Sequence, residues 1–257
     1  MKTIRFIATY ISVILCISFT SCSSEEDNPV TNSDVKKRLT KISLTQKNGN
    51  DRSEINLSYS DNRISKISIT WNNNAPWLIN YEYQGNKVTI SETNSNFYGD
   101  SFSETFTLSD NVIINGEEND KYNYNNGYLL STSWGAEFIY NKDWNLIKTT
   151  DDGFDNITYT DIPNVGNLYI AYRDNDGVYP FYGYGNMFYS GLWGKASKHL
   201  PKELKNDDEE GLEYMRFTYE FDEHGYVKVT TIEDYYEDSG KTNTTYWTET
   251  YTYETID

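Results

Sequence analysis

The sequence predicts an all-β fold: an antiparallel meander of repeated hairpins, curled into a soluble barrel or half-barrel. Three observations point there. The chain has 24 Tyr, 11 Phe and 6 Trp in 257 residues, and aromatic residues with Thr favour strands, where they pack as cross-strand pairs. A degenerate unit recurs: aromatic, any residue, aromatic, a turn of Asn, Asp or Gly, then an apolar pair with Thr or Ser. Several copies are apolar on both faces, as at Leu129–Leu130 and Leu146–Ile147. A flat meander would leave those faces and two edges open, an aggregation hazard that curling removes. Membrane-spanning strands would need a continuous lipid-facing apolar row, and here Thr, Ser, Asn and Lys interrupt both faces.

The first element is not part of that fold. Lys2 and Arg5 form a basic start, Phe6 to Phe19 is an almost unbroken apolar run, and small Thr20 and Ser21 precede Cys22. The run is too short to span a bilayer comfortably, and residues 1–21 have the layout of an export signal. The small residue directly before Cys22 resembles bacterial lipoprotein signals, in which the cysteine thiol takes a diacylglyceryl group and the new amino terminus is acylated. The resemblance makes Cys22 the lipid-attachment residue, with anchoring by more than one acyl chain. An ordinary secreted protein cut near Ser24 is the alternative. Ser23, Ser24, Glu25, Glu26 and Asp27 resemble the surface-export tag of lipoproteins in some Gram-negative gut anaerobes, which implies an outer-membrane, cell-surface location. Residues 22–38 carry no aromatics and read as a flexible tether.

Residues 39–257 read as a single domain. Its hairpins follow in order: Leu57, Tyr59, Asn62, Ile64 and Ile67; Tyr81, Tyr83, Gly85, Val88 and Ile90; Phe106, Leu108, Asn111, Val112 and Ile114. Next come Tyr122, Tyr124, Asn126, Gly127, Leu129 and Leu130, then Phe138, Tyr140, Asp143, Leu146 and Ile147, and last Phe217, Tyr219, Phe221, Gly225, Val227 and Val229. Residues two apart share a strand face, so each aromatic pair presents two rings on one side. Asn126-Gly127 suits a tight turn with positive φ at both central positions. Trp71 and Trp77 flank Asn72–Asn74 and serve either as a contact loop or as a hairpin staple.

The repeat lapses over an insertion at about 162–213. Tyr169, Tyr172, Tyr179, Phe181, Tyr182, Tyr184, Phe188, Tyr189 and Trp193 crowd this segment between glycines. Val165, Leu168, Tyr169 and Tyr172 have helical spacing, which predicts a short helix at its start. The rings either form a sugar- or peptide-binding surface or plug one end of the curled sheet. In the binding reading the contacts are Tyr182, Tyr184, Tyr189 and Trp193.

The Tyr-x-Tyr-turn-Gly hairpins resemble the YD-type repeats of Rhs proteins. Gly191-Leu192-Trp193-Gly194-Lys195-Ala196-Ser197-Lys198-His199-Leu200-Pro201, with Tyr219-Glu220-Phe221-Asp222-Glu223-His224-Gly225-Tyr226-Val227 after it, is more particular. It resembles the C-terminal part of surface lipoproteins from gut anaerobes that carry a domain of unknown function with a porin-like fold. The resemblance implies a barrel-like meander at the cell surface and brings no catalytic residues.

Several chemistries are disfavoured by composition. Two of the 22 basic residues and none of the 39 acidic ones leave with residues 1–21, so the net charge goes from −17 to −19. Such a surface repels nucleic acid. Cys16 leaves with the signal and Cys22 is blocked by lipid, so no disulfide, thiolate site or Cys nucleophile is expected. His199 and His224 are the only histidines, too few for a His-rich metal centre. Placing Gly177 of Asp174-Asn175-Asp176-Gly177 at the sixth position of a calcium loop puts Tyr172 first and Gly183 twelfth, where carboxylates belong. No cofactor, metal or catalytic residue is assigned. The expectation is a surface lipoprotein acting by binding or interaction with a glycan, a peptide or an outer-membrane partner. The alternatives are a polysaccharide hydrolase with paired acids and a structural envelope component.

Overall fold

A computed structural model of the protein describes residues 35–72, 74–93, 102–116, 121–150, 156–172, 185–208, 211–238 and 240–256. The signal and most of the tether lie outside them. The N-terminal half supplies β1 (Lys37–Gln46), β2 (Arg52–Ser60), β3 (Arg63–Trp71), β4 (Trp77–Gln84), β5 (Lys87–Thr93), β6 (Phe102–Ser109) and β7 (Val112–Asn115). Two short hairpins follow, β8 (Asn123–Asn125) with β9 (Tyr128–Ser131) and β10 (Phe138–Tyr140) with β11 (Leu146–Thr149). After β12 (Asn156–Pro163) comes one short helix, α1 (Gly185–Tyr189), then β13 (His199–Asp208), β14 (Gly211–Phe221), β15 (Val227–Asp238) and β16 (Lys241–Thr255).

Twelve strands form one antiparallel sheet in the order β12-β13-β14-β15-β16-β1-β2-β3-β4-β5-β6-β7. The first and last strands therefore pair at its middle, Ile42 opposite Tyr251 and Leu44 opposite Glu249. The sheet curls but does not close. Its two edge strands are β7 and β12, and the two short hairpins stand between them in the chain. Isolated bridges tie this region together: Asn115 with Lys121, Ser131 with Glu137, and Tyr128 with Gly194.

Alternation sets which face is inside. In β2, Ser53, Ile55 and Leu57 are buried while Glu54, Asn56 and Ser58 are exposed. In β16, Trp247, Glu249 and Tyr251 are buried in the same rhythm. The buried Glu249 carboxylate accepts a 2.5 Å hydrogen bond from the Tyr251 hydroxyl, which itself accepts from Thr230 Oγ1. A buried carboxylate of this kind must be hydrogen-bonded to be tolerated.

Two kinds of turn make the repeat. Asp61-Asn62, Asp110-Asn111 and Asn126-Gly127 have positive φ at both central residues (50° and 62°, 50° and 67°, 53° and 84°), the geometry that matches strand twist in two-residue hairpins. The other kind has five residues between paired strand ends. At Asp222, Oδ1 accepts from the amides of His224 and Tyr226, and the backbone closes with Asp222 N–H to the Tyr226 carbonyl. Asn141 repeats this on Asp143 and Asn145, and the Thr132 hydroxyl accepts from the Ala136 amide. The fourth residue has positive φ in all three: Gly135, Trp144 and Gly225. The Asp-x-x-Gly-Tyr-Val motif is thus a side-chain-capped turn. Trp144 adopts φ 59° without being glycine, and its ring stacks on Tyr128 at 4.8 Å.

The sequence reading of the insertion needs two corrections. Strand already resumes at His199, inside the expected bounds of 162–213; β13 carries no aromatic residue, so the repeat did not reveal it. The expected helix over 165–172 is absent. Asn164 Oδ1 instead accepts from the Leu168 amide, Asn164 Nδ2 donates to the Leu168 carbonyl, and Asn167 turns the chain at φ 50°. The helix that does form, α1, lies at the other end of the segment.

Candidate functional site

The described parts of the insertion sit against the concave face of the sheet and touch strands from both halves. Tyr81 of β4 donates to the Asn186 carbonyl, the Ile113 amide on edge strand β7 donates to the Leu192 carbonyl, and a Cβ added at Gly166 would lie 3.1 Å from the Tyr253 hydroxyl of β16. Phe188 is fully buried and Trp193 is 2% exposed. The Phe188 ring meets Tyr172 at 4.2 Å, and Trp193 packs edge-on to Phe188 at 5.2 Å, with Trp134 and Tyr122 also against it. This is a plug of rings.

Irregular backbone inside a sheet leaves carbonyls that need donors. Tyrosine supplies them. Tyr124 donates to the Leu192 carbonyl, Tyr169 to Gly194 at 2.7 Å, and Tyr172 to Lys195. The same device joins strands and neighbours elsewhere: Tyr159 to the Leu146 carbonyl, Tyr219 to Pro201 and Tyr59 to Leu39, each at 2.6 Å. A ring on a hydroxyl that reaches a buried carbonyl explains why Tyr outnumbers Phe. Burial pushes the Tyr172, Tyr169 and Tyr81 phenols up, away from ionisation.

Where the plug meets the strand ends, it leaves a cleft of about 520 Å³. One wall comes from the start of β1, the end of β2, the Asp61-Asn62 turn, the start of β3 and Tyr83; the other comes from Gly166, Asn167, Tyr169 and Tyr189–Leu192. Its polar groups are ordered. The Arg38 guanidinium lies 4.3 Å from the Tyr59 ring centre and pairs with Glu254. The Arg63 guanidinium lies 5.0 Å from the Tyr83 ring centre, and its Nη2 donates to Asn111 Oδ1 at 2.6 Å, joining the β2–β3 turn to the β6–β7 turn. Burial pushes the Tyr59 and Tyr83 phenols up to about 12, against the opposing pull of Arg38 and Arg63. Lys37 pairs with Asp222 at 2.7 Å. Burial raises the Asp222 carboxyl, but Lys37 and the amides of His224 and Tyr226 outweigh it and hold it below the ordinary carboxylate value.

The residues singled out in the sequence fall in three places. Tyr189 is half-buried and lines the cleft. Trp193 faces the core and offers no surface to a ligand, because Phe138, Phe188 and Trp134 enclose it. Tyr182, Tyr184, Cys22 and the Asp174–Gly177 segment lie outside the described residues. Trp71 and Trp77 pack on the core, and Asn72 closes their loop by bonding the Arg52 amide and Asp51 Oδ1. His199 accepts from Asn145 Nδ2 at Nδ1, and His224 sits in the Asp222 turn near Glu223. Among the described residues no group of three His, Cys, Asp or Glu side chains could hold a metal ion. Sequence reasoning named Tyr59 and Tyr83 only as hairpin residues and missed that they line a cleft with Arg38 and Arg63. Neither Arg38 nor Arg63 has an aromatic neighbour in the sequence, and only the packing of strand beside strand brings them over Tyr59 and Tyr83.

No protein-family model matches the chain, and no curated protein matches it. Among solved structures, the chain is similar to a crystal structure of a porin-like protein from Bacteroides uniformis, at 18% sequence identity and a TM-score of 0.59. The match covers 84% of this chain and 98% of that one. At that identity the likeness is one of fold.

Proposed function

We propose that this chain is an envelope lipoprotein, tethered through Cys22 at the outer surface, whose β-domain acts by binding a ligand in the cleft between the plug and the strand ends. The observation that carries the binding reading is the cleft itself. It has the volume of a small-molecule site, it is rimmed by Tyr189 and by guanidinium-stacked Tyr59 and Tyr83, and the plug that forms one wall is held by buried rings. A glycan or a peptide fits this lining better than an extended protein partner, which would engage a flat face. Asp61 is the only carboxylate among the described residues that line the cleft. A glycoside hydrolase needs two, so the cleft favours binding over catalysis.

The envelope location rests on the signal-like residues 1–21, on the acidic tether, and on the fold shared with a porin-like protein from Bacteroides uniformis. Cys22→Ala is expected to move the protein from the membrane fraction to the soluble one, or to block its maturation. Intact-mass analysis of the wild-type membrane fraction should give a chain that begins at Cys22 and carries acyl groups; an unmodified chain beginning elsewhere contradicts the anchor.

The binding reading is tested by screening the mature protein against glycan and peptide arrays. A hit that weakens on Tyr189→Ala, with the melting temperature unchanged, supports the cleft. Hits that are indifferent to Tyr189 and to its cleft neighbours place recognition elsewhere.

A further inference from the structure

Resting on the cleft as the binding site, we infer that its ligand carries a carboxylate, which Arg63 recognises. Three cations line this one cleft, Lys37, Arg38 and Arg63, against a single acid, Asp61. The chain as a whole carries −17, so a cationic lining is a local reversal of its charge. The three cations are not equivalent. Lys37 is neutralised by Asp222 and Arg38 by Glu254. Arg63 has no carboxylate within ion-pair distance among the described residues; its contacts are the Asn111 amide oxygen and the face of Tyr83.

Those two contacts fix the guanidinium without neutralising it. The ring holds its plane, and the single bond from Nη2 to Asn111 leaves other N–H donors of the fork unused. A preset planar fork matches the two oxygens of a carboxylate. The size of the charge selects further. One uncompensated cation in an acidic molecule suits one negative charge, whereas a polyanion would meet the repulsion of the surrounding surface. The ligand class is therefore a singly charged carboxylate compound small enough for about 520 Å³, either a uronic-acid sugar or the free carboxyl end of a short peptide.

Titration of the full mature protein by calorimetry separates these. The probes are cellobiouronic acid against cellobiose, and an acetylated tripeptide acid against its amide. At least one carboxylate probe is expected to bind about tenfold or more tightly than its neutral counterpart, and to weaken as salt is raised. The sugar pair or the peptide pair, whichever shows the preference, identifies the source of the carboxylate. Arg63→Gln is expected to erase the preference, and Arg63→Lys to restore part of it. Arg63 is exposed, so both variants should melt with the wild type. Equal binding of acid and neutral probes would overturn the inference while leaving the cleft as a binding site. A carboxylate preference that survives Arg63→Gln would overturn it too. So would no binding of either acid up to about 10 mM, a limit corresponding to a very weak site.

Discussion

Trp193→Ala is expected to lower the unfolding free energy by about 3–5 kcal/mol, the range for deleting a large buried ring. Net stabilities of domains are only about 5–15 kcal/mol, so the urea midpoint should fall by a large fraction. The size follows from position. Trp193 is 2% exposed, and Phe188, Trp134, Phe138 and Tyr122 surround it, so truncation leaves a cavity among close-packed rings. Trp134 touches the same cluster but is 49% exposed. Trp134→Ala should therefore cost far less, as for surface substitutions generally. Equal and small effects at both positions would show that the plug is not part of the folded core.

Gly194→Ala is expected to be as damaging by a different route. Gly194 has φ 93°, and an added Cβ would lie 2.3 Å from the Gly127 carbonyl oxygen. That oxygen is backbone in the β8–β9 turn and accepts the Lys195 amide at 2.9 Å, so it cannot move without breaking the junction between plug and hairpin. Gly135 supplies the control: its φ is 97°, and nothing lies within 4 Å of its added Cβ. Gly135→Ala should cost only the left-handed backbone term, about 1–2 kcal/mol. Gly194→Ala should cost that and roughly 1–3 kcal/mol more for overpacking. Urea unfolding of the two variants side by side measures the difference. No difference would mean that plug and hairpin are not in contact at this point.

How far the fold could be read depended on whether a feature repeats. Period-two aromatics and Asn or Asp at the turns wrote six hairpins locally, and the structure has them, with Asn126-Gly127 in the expected turn. The curled, unclosed sheet agrees with the half-barrel expected, but its strand order was not written that way, because pairing β1 with β16 joins residues more than 200 positions apart and leaves no local trace. The helical spacing at Val165–Tyr172 misled for a physical reason. Leu168, Tyr169, Ile170, Ala171 and Tyr172 are all buried, and in a run that is buried at every position a helical spacing falls among the apolar residues without a helix.

The site was less legible than the fold. Ring density drew attention to Trp193, but density marks burial as readily as binding, and this ring is interior. Glu249 was one acid among 39, and only its place on the inward face of β16 makes it a buried hydrogen-bonded group. Arg63, which follows the Asp61-Asn62 turn, and Asn111, in the Asp110-Asn111 turn, are 48 residues apart; curvature of the sheet brings them together. The stacked pairs Arg38 on Tyr59 and Arg63 on Tyr83 likewise exist only across strands. Tyr189 was named from the sequence and does line the cleft.

We propose that the plug and the strand ends together make the binding site. Backbone amide shift mapping of the mature protein with an array hit tests it most directly. The perturbed amides are expected to cluster at Leu57–Ile64, Tyr83 and Tyr189–Leu192, while those of β14 to β16 beyond the cleft stay in place. Perturbations confined to the outer faces of β14 to β16, with the cleft amides unmoved, would contradict it.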